Sequence, residues 1–325
     1  MATPPAPTSR QQGAAMLAAL LTVALVTTLA VGAMWQQWRG IEVESAERHR
    51  AQARWLLLGS LDWARVILRE DALADTSPPT DHLAEPWAVP LQEARLSSFL
   101  AALPDGSGAD SEDTALSEQV FLSGQIEDVQ SRLPLLNLVQ GDRVVPSALL
   151  ALERLFEALG LPQDQLRLLT QGLLNAQRQQ GTALPQRVSQ LTWLGLSPQT
   201  VARLGPYVNL LPLSTPVNLN TASAEVLYAS VPRITLSDAQ RLVRERNRKH
   251  WVSLEAFEQA LGKNMALGQT HSVNTRYFEV TGKLRTPATT VVERSLLQRD
   301  GREVRVLWRE SGQWASSPAA NVSLQ

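Results

Sequence analysis

Residues 10–35 read RQQGAAMLAALLTVALVTTLAVGAMW. From Ala14 to Trp35 no side chain is charged, a run of about 22 residues. A helix rises about 1.5 Å per residue, so this run can cross a hydrocarbon core of roughly 30 Å. A secretory signal peptide would carry a shorter apolar region of about 7–15 residues and a small-residue cleavage site after it. Here Trp35, Gln36, Gln37, Trp38 and Arg39 follow the run, so it reads as an anchor. The only charged side chain before the span is Arg10, and mixed charges come after it. That asymmetry favours a cytoplasmic N-terminus and an exported body.

Downstream, Ile41–Leu73 keeps a helical period. Val43, Ala46, Ala53, Leu57, Leu61, Ala64 and Leu68 form one apolar face, and Glu44, Glu47, Arg48, Arg54 and Asp62 take other positions. The anchor therefore runs into an amphipathic stalk. Asp75–Pro90, rich in proline and acid, is a loop, and Leu91–Leu103 reads as a helical segment. The next loop holds Asp105, Asp110, Glu112 and Asp113, oxygen donors of the kind calcium takes, without the spacing of an EF-hand. Calcium is thus the one candidate cofactor, against a solvated acidic loop.

Val120–Val129 reads as a strand, and Pro146–Leu211 is largely helical. Thr275–Arg285, Thr289–Gln298 and Glu303–Arg309 alternate like strands, with Arg299-Asp300-Gly301 as a hairpin turn. Strands on both sides of a helical region imply one sheet with a helical domain inserted into it. Within that region, Val217–Gly262 has the shape of a helix-hairpin-helix unit. Asn220 or Thr221 would cap a helix over Ala222–Ala229, Pro232–Leu236 would form the hairpin, and Ser237 would cap Asp238–Arg248. Hairpins that bind DNA use two glycines so that backbone N–H groups reach a phosphate. Pro232-Arg233-Ile234-Thr235 has neither glycine. Arg241, Arg244, Arg246, Arg248 and Lys249 form a basic cluster that reads either as a solvated face or as a phosphate-attracting one.

Thirty basic and 31 acidic side chains among 325 residues argue against a surface built for bulk nucleic-acid binding. With no cysteine, neither disulfides nor zinc–thiolate sites are possible. The histidines at 49, 82, 250 and 271 share no metal-ligand spacing. No nucleophile elbow, phosphate loop or HExxH motif is present, so the chain reads as non-enzymatic.

The leader and apolar run resemble those of type IV prepilins and type II secretion pseudopilins. The resemblance implies cleavage between Gly13 and Ala14 by a prepilin peptidase, followed by N-methylation of Ala14. Most such subunits carry Glu at the fifth mature position, and this chain has Ala18 there. A missing Glu is a trait of the minor pseudopilin family called protein K. Asp128, Asn137-Leu138, Val217–Ala222 (VNLNTA) and Glu225-Val226-Leu227 also stand where that family has matching residues. The chain departs from it at Pro134-Leu135-Leu136, and at Leu173–Gln177, where many members have a Trp-Ile-Asp-x-Asp cluster.

The implied fold is α+β: a pilin-like long transmembrane and stalk helix plus antiparallel sheet, with a large inserted all-α domain of sterile-alpha-motif and helix-hairpin-helix type. The implied boundaries are leader 1–13, span 14–35, stalk 36–73, first sheet part 74–130, helical insertion 131–216, hairpin unit 217–268, C-terminal strands 269–317 and tail 318–325. The implied function is to cap the pseudopilus tip and help start its assembly, for export of folded proteins from the periplasm. The anchor would cross the inner membrane once, with the body in the periplasm. Implied partners are the minor pseudopilins I and J, the prepilin peptidase, secreted proteins and the outer-membrane channel, with nucleic acid not expected. Leu57, Leu61 and Leu68 are candidates for contact with a partner helix, and equally for the chain's own core. Two alternatives stand beside this: a membrane-anchored DNA-binding protein of the competence type, and a minor pilin of a type IV pilus.

Overall fold

A computed structural model describes residues 9–74, 79–101, 119–178, 184–262, 267–268, 270–287 and 289–312. The chain divides into two units, Met1–Trp55 and Leu56–Gln325. Helix α1 is Ser9–Ala74. In the first unit its side chains from Ala14 to Gln52 are exposed, and its apolar part is long and hydrophobic enough to cross a membrane.

The second unit is built on a five-stranded antiparallel sheet. Its strands are β1 (Leu91–Arg95), β2 (Phe121–Asp128), β3 (Tyr277–Arg285), β4 (Thr290–Asp300) and β5 (Glu303–Gly312), in that order across the sheet. β2 and β3 pair side by side, Asp128 opposite Phe278, although nearly 150 residues separate them in sequence. That intervening chain forms the helical insertion. The expected hairpin closes at Gly301, whose φ of 56° is the left-handed conformation such a turn needs.

Residues 56–74 of α1 lie on one face of the sheet. Leu61, Ala64 and Leu68 pack with Trp87, Phe278, Val280, Leu297 and Val304. Each buried leucine contributes roughly 1.5–3 kcal/mol. Gly282 lets the helix come close: a Cβ there would stand 3.0 Å from Leu57 Cδ2. Arg65 fixes the helix to the outer strand, donating from Nε and Nη2 to the Val304 carbonyl at 3.2 and 3.1 Å.

The insertion comprises α3 (Pro146–Ala158), α4 (Gln163–Arg178), α5 (Pro198–Leu204), α6 (Ala224–Ser230), α7 (Leu236–Arg248) and α8 (Leu254–Leu261), preceded in the sheet part by the short α2 (Leu96–Ala101). Its core gathers Leu135, Leu152, Phe156, Leu169, Leu227, Leu242 and Phe257. Two short parallel ladders stitch its ends: Leu133–Pro134 with Val208–Asn209, and Val217–Asn218 with His271–Ser272.

Three local expectations are corrected. Leu91–Arg95 is a strand, not helix, because it pairs antiparallel to β2, with a register shift between Leu91 and Ala94; tertiary pairing overrides the helical propensity of LQEAR. Helix α6 starts two residues later than expected, capped by Ser223 accepting from Val226 N–H, since Asn220 and Thr221 are engaged elsewhere. Helix α7 starts earlier, capped by Thr235 in a reciprocal box with Asp238.

Candidate functional site

Where the insertion leaves and rejoins the sheet, buried polar groups converge. Asp128 ends β2. Its Oδ1 accepts from Gln130 N–H at 2.7 Å, and its Oδ2 accepts from Asn218 Nδ2 at 2.9 Å and from the Thr221 hydroxyl. Burial pushes the Asp128 carboxyl up, and these donors pull against that shift. Asn218 Nδ2 also reaches the Asp81 carbonyl at 3.1 Å, and Asn218 Oδ1 accepts from Asn220 N–H at 3.0 Å. Asn220 grips Trp251 through both backbone groups, at 2.8 and 2.9 Å. The VNLNTA segment is therefore a polar knot that joins β2, the loop before the sheet and the hairpin unit.

A second knot lies beside it. Arg299 of β4 donates to Asp71 of α1 at 2.8 Å, to Asp81, and to the Thr275 carbonyl at 3.3 Å. Asp81 Oδ2 accepts from Thr275 N–H at 2.8 Å. Carboxylate oxygens of Asp71, Asp81 and Glu85 lie within 4.8 Å of one another. Arg299 serves Asp71 and Asp81, and Glu85 stands beside these two acids without a bond to it. Burial raises Asp81 to about 6, against the pull of Arg299, and raises Glu85 to about 8, with Asp71 and Asp81 adding to the shift. Glu85 also accepts from Trp87 Nε1 and faces His82 Nε2 at 3.3 Å. His82 stacks on His250, ring centroids 3.7 Å apart, which ties the loop to the turn after α7.

The hairpin unit is closed to phosphate on its interior side. Arg154 donates to the Val231 and Ile234 carbonyls at 2.8 and 2.6 Å, which pins the hairpin from α3. Arg233 holds φ 58° at a position where DNA-binding hairpins place glycine. Of the basic cluster, Arg246 is buried and donates to the Leu219 and Ala222 carbonyls, with burial lowering it to about 10. Arg241 pairs with Glu245 at 2.8 Å, leaving Arg244, Arg248 and Lys249 as the exposed members.

Gly13, Ala14 and Ala18 all fall within α1, with Ala14 and Ala18 exposed. Leu57, Leu61 and Leu68, for which two roles stood open, are 1%, 3% and 0% exposed and face the chain's own sheet. Asp105, Asp110, Glu112 and Asp113 lie outside the described residues. Sequence reading missed Asp71, Asp81, Glu85 and Arg299. Asp81 and Arg299 are 218 positions apart and sit in no motif.

Comparison with known proteins places this geometry. Residues 217–274, which carry the VNLNTA knot and the hairpin unit, match the family model described as type II secretion system (T2SS), protein K. The type II secretion system protein K of Pseudomonas aeruginosa is 30% identical over 333 residues, covering 93% of each chain. That of Klebsiella pneumoniae is 30% identical, covering 93% of this chain and 97% of its own. That of Pectobacterium carotovorum subsp. carotovorum is 27% identical, covering 94% and 97%. Among solved structures, the GspK-GspI-GspJ complex from enterotoxigenic Escherichia coli contains a chain of similar fold. It aligns with a TM-score of 0.59 at 16% identity, over 83% of this chain and 99% of that one.

Proposed function

Because this chain belongs to the type II secretion system protein K family, a family of minor pseudopilins, we propose that it caps the tip of the pseudopilus and helps start its assembly. The observation that carries the tip position is the helical insertion between β2 and β3. A shaft subunit must accept neighbours above and below, and an added domain of this size obstructs the upper place. Ala18 supports the same reading. A carboxylate in hydrocarbon is costly and is kept where it meets a partner, and a subunit with nothing above it has no such need.

On this reading the anchor crosses the inner membrane once and the body stands in the periplasm. The minor pseudopilins I and J are its partners, as GspI and GspJ accompany GspK in the solved complex. The polar knots hold the insertion rigidly on the sheet, so force applied through the stalk reaches the tip. The role is mechanical, and the chain catalyses nothing. The burial of Arg246 and the pinning of the hairpin by Arg154 favour a structural use of the helix-hairpin-helix shape over DNA binding.

The test is copy number. In sheared pseudopili of different lengths, a tip subunit stays at one per fibre. Copies that rise in proportion to fibre length would place the chain in the shaft instead.

A further inference from the structure

No aromatic side chain precedes Trp35 in the sequence. Trp35 and Trp38 then come within one helical turn, and Arg39 follows. All three belong to the unit Met1–Trp55 and are exposed, the two indoles at 58% and 62%. At about 100° per residue they fall within roughly 100° of arc, on one side of α1. The Arg39 guanidinium lies over the Trp35 ring, 4.6 Å from its centroid. That contact offsets part of the cost of drawing a cation out of bulk water. It uses the face of the guanidinium, so the in-plane N–H donors remain for an anion.

The lengths fit a bilayer. Ala14–Met34 makes about 21 residues, or roughly 31 Å of helix, against a hydrocarbon core of about 30 Å. The headgroup layer adds roughly 5–8 Å on each side. Trp35 to Arg39 rises about 6 Å, which fills that layer. Glu42, the first acidic side chain of the sequence, comes about 4–5 Å higher, clear of the phosphates. At the inner end, Ala14–Ala19 offers neither a ring nor a charged side chain. The anchoring chemistry of the span is therefore concentrated at its outer end.

We propose that Trp35, Trp38 and Arg39 form a belt that binds the phospholipid headgroup layer and fixes the depth of the anchor from its outer end. The proposal rests on the single-span reading above. Indole rings settle where hydrocarbon meets water, and a guanidinium pairs with phosphate through two parallel N–H donors. The belt sets the height at which α1 leaves the bilayer.

The chain has no cysteine, so single spin labels report depth cleanly. Full-length chains with Val31→Cys, Gln36→Cys, Gln37→Cys, Gly40→Cys or Val43→Cys are labelled in vesicles of phosphatidylethanolamine and phosphatidylglycerol. Access to oxygen, which favours lipid, is compared with access to a nickel chelate, which stays in water. Oxygen should dominate at position 31 and nickel at 43, with the crossing between 36 and 40. In the Trp35→Ala, Trp38→Ala background the outer end should rise, moving the crossing towards the N-terminus by about two residues, or roughly 3 Å. Trp35→Tyr with Trp38→Tyr should keep the original crossing, because tyrosine also settles at the interface.

A crossing outside 35–40, one that the alanine pair leaves in place, or one that the tyrosine pair moves as far as alanine does, would overturn the belt and leave the anchor standing. Nickel access that is equally high at every labelled position would bring down the anchor reading as well.

Discussion

Asp81 and Arg299 show how a few side chains tie the stalk, the loop before the sheet and strand β4 together. Arg299 is the shared partner of Asp71 and Asp81, all three nearly withdrawn from water. Removing one member of such a buried group costs more than the group contributes, because the others keep their charge without a partner. Arg299→Met is therefore expected to cost about 3–5 kcal/mol in chemical denaturation. A loss below about 1 kcal/mol would mean the knot is relaxed or wet. Glu85 gives the pH dependence. Its pKa is raised in the fold from 4.5 to about 8, so its contribution is full below about 4.5 and is lost as pH rises towards 8. Asp81, raised from 3.8 to about 6, acts in the same direction over a lower window. His271, lowered from 6.5 to about 4 by burial, acts oppositely: its contribution is present above 6.5 and is lost as pH falls. Melting temperature should thus decline between pH 6.5 and 8, and Glu85→Gln should flatten that decline. A slope that Glu85→Gln leaves unchanged would assign it to other groups. Asn218 and Thr221 stand out in the sequence because they sit in one short motif. The acids and Arg299 do not, since only the folded chain brings them together.

The elements were legible where a local period decides them. The alternating sequence of strands β3 to β5 and the glycine at which β4 turns into β5 could be read locally, and the stalk repeats at 3.6 residues. Legibility failed where a distant partner decides. The LQEAR segment becomes a strand only because β2 offers its edge. Arg246 looks like part of a basic surface until the Leu219 and Ala222 carbonyls turn towards it. The stalk shows a third kind of limit, because periodicity marks its apolar face without saying what covers it. The sheet covers Leu68, and Val66 two residues earlier is exposed. Leu68→Ala should cost about 2–5 kcal/mol, while Val66→Ala in the chain alone should stay within about 0.5 kcal/mol. Paired urea titrations separate these outcomes, and equal losses at the two positions would contradict the stated orientation of the helix on the sheet.

At the scale of the whole molecule, the anchor, the antiparallel sheet and the helical insertion are the three parts the protein K reading needs. Relatives at about 30% identity match over more than nine-tenths of the chain. Leader processing between Gly13 and Ala14 is what we propose from the resemblance of the leader and apolar run to those of prepilins. The most direct test is the mass of the mature N-terminus after expression with a prepilin peptidase. The account predicts a chain that begins at N-methylated Ala14, with Met1–Gly13 removed. A chain retained in the membrane with Met1 intact would contradict it.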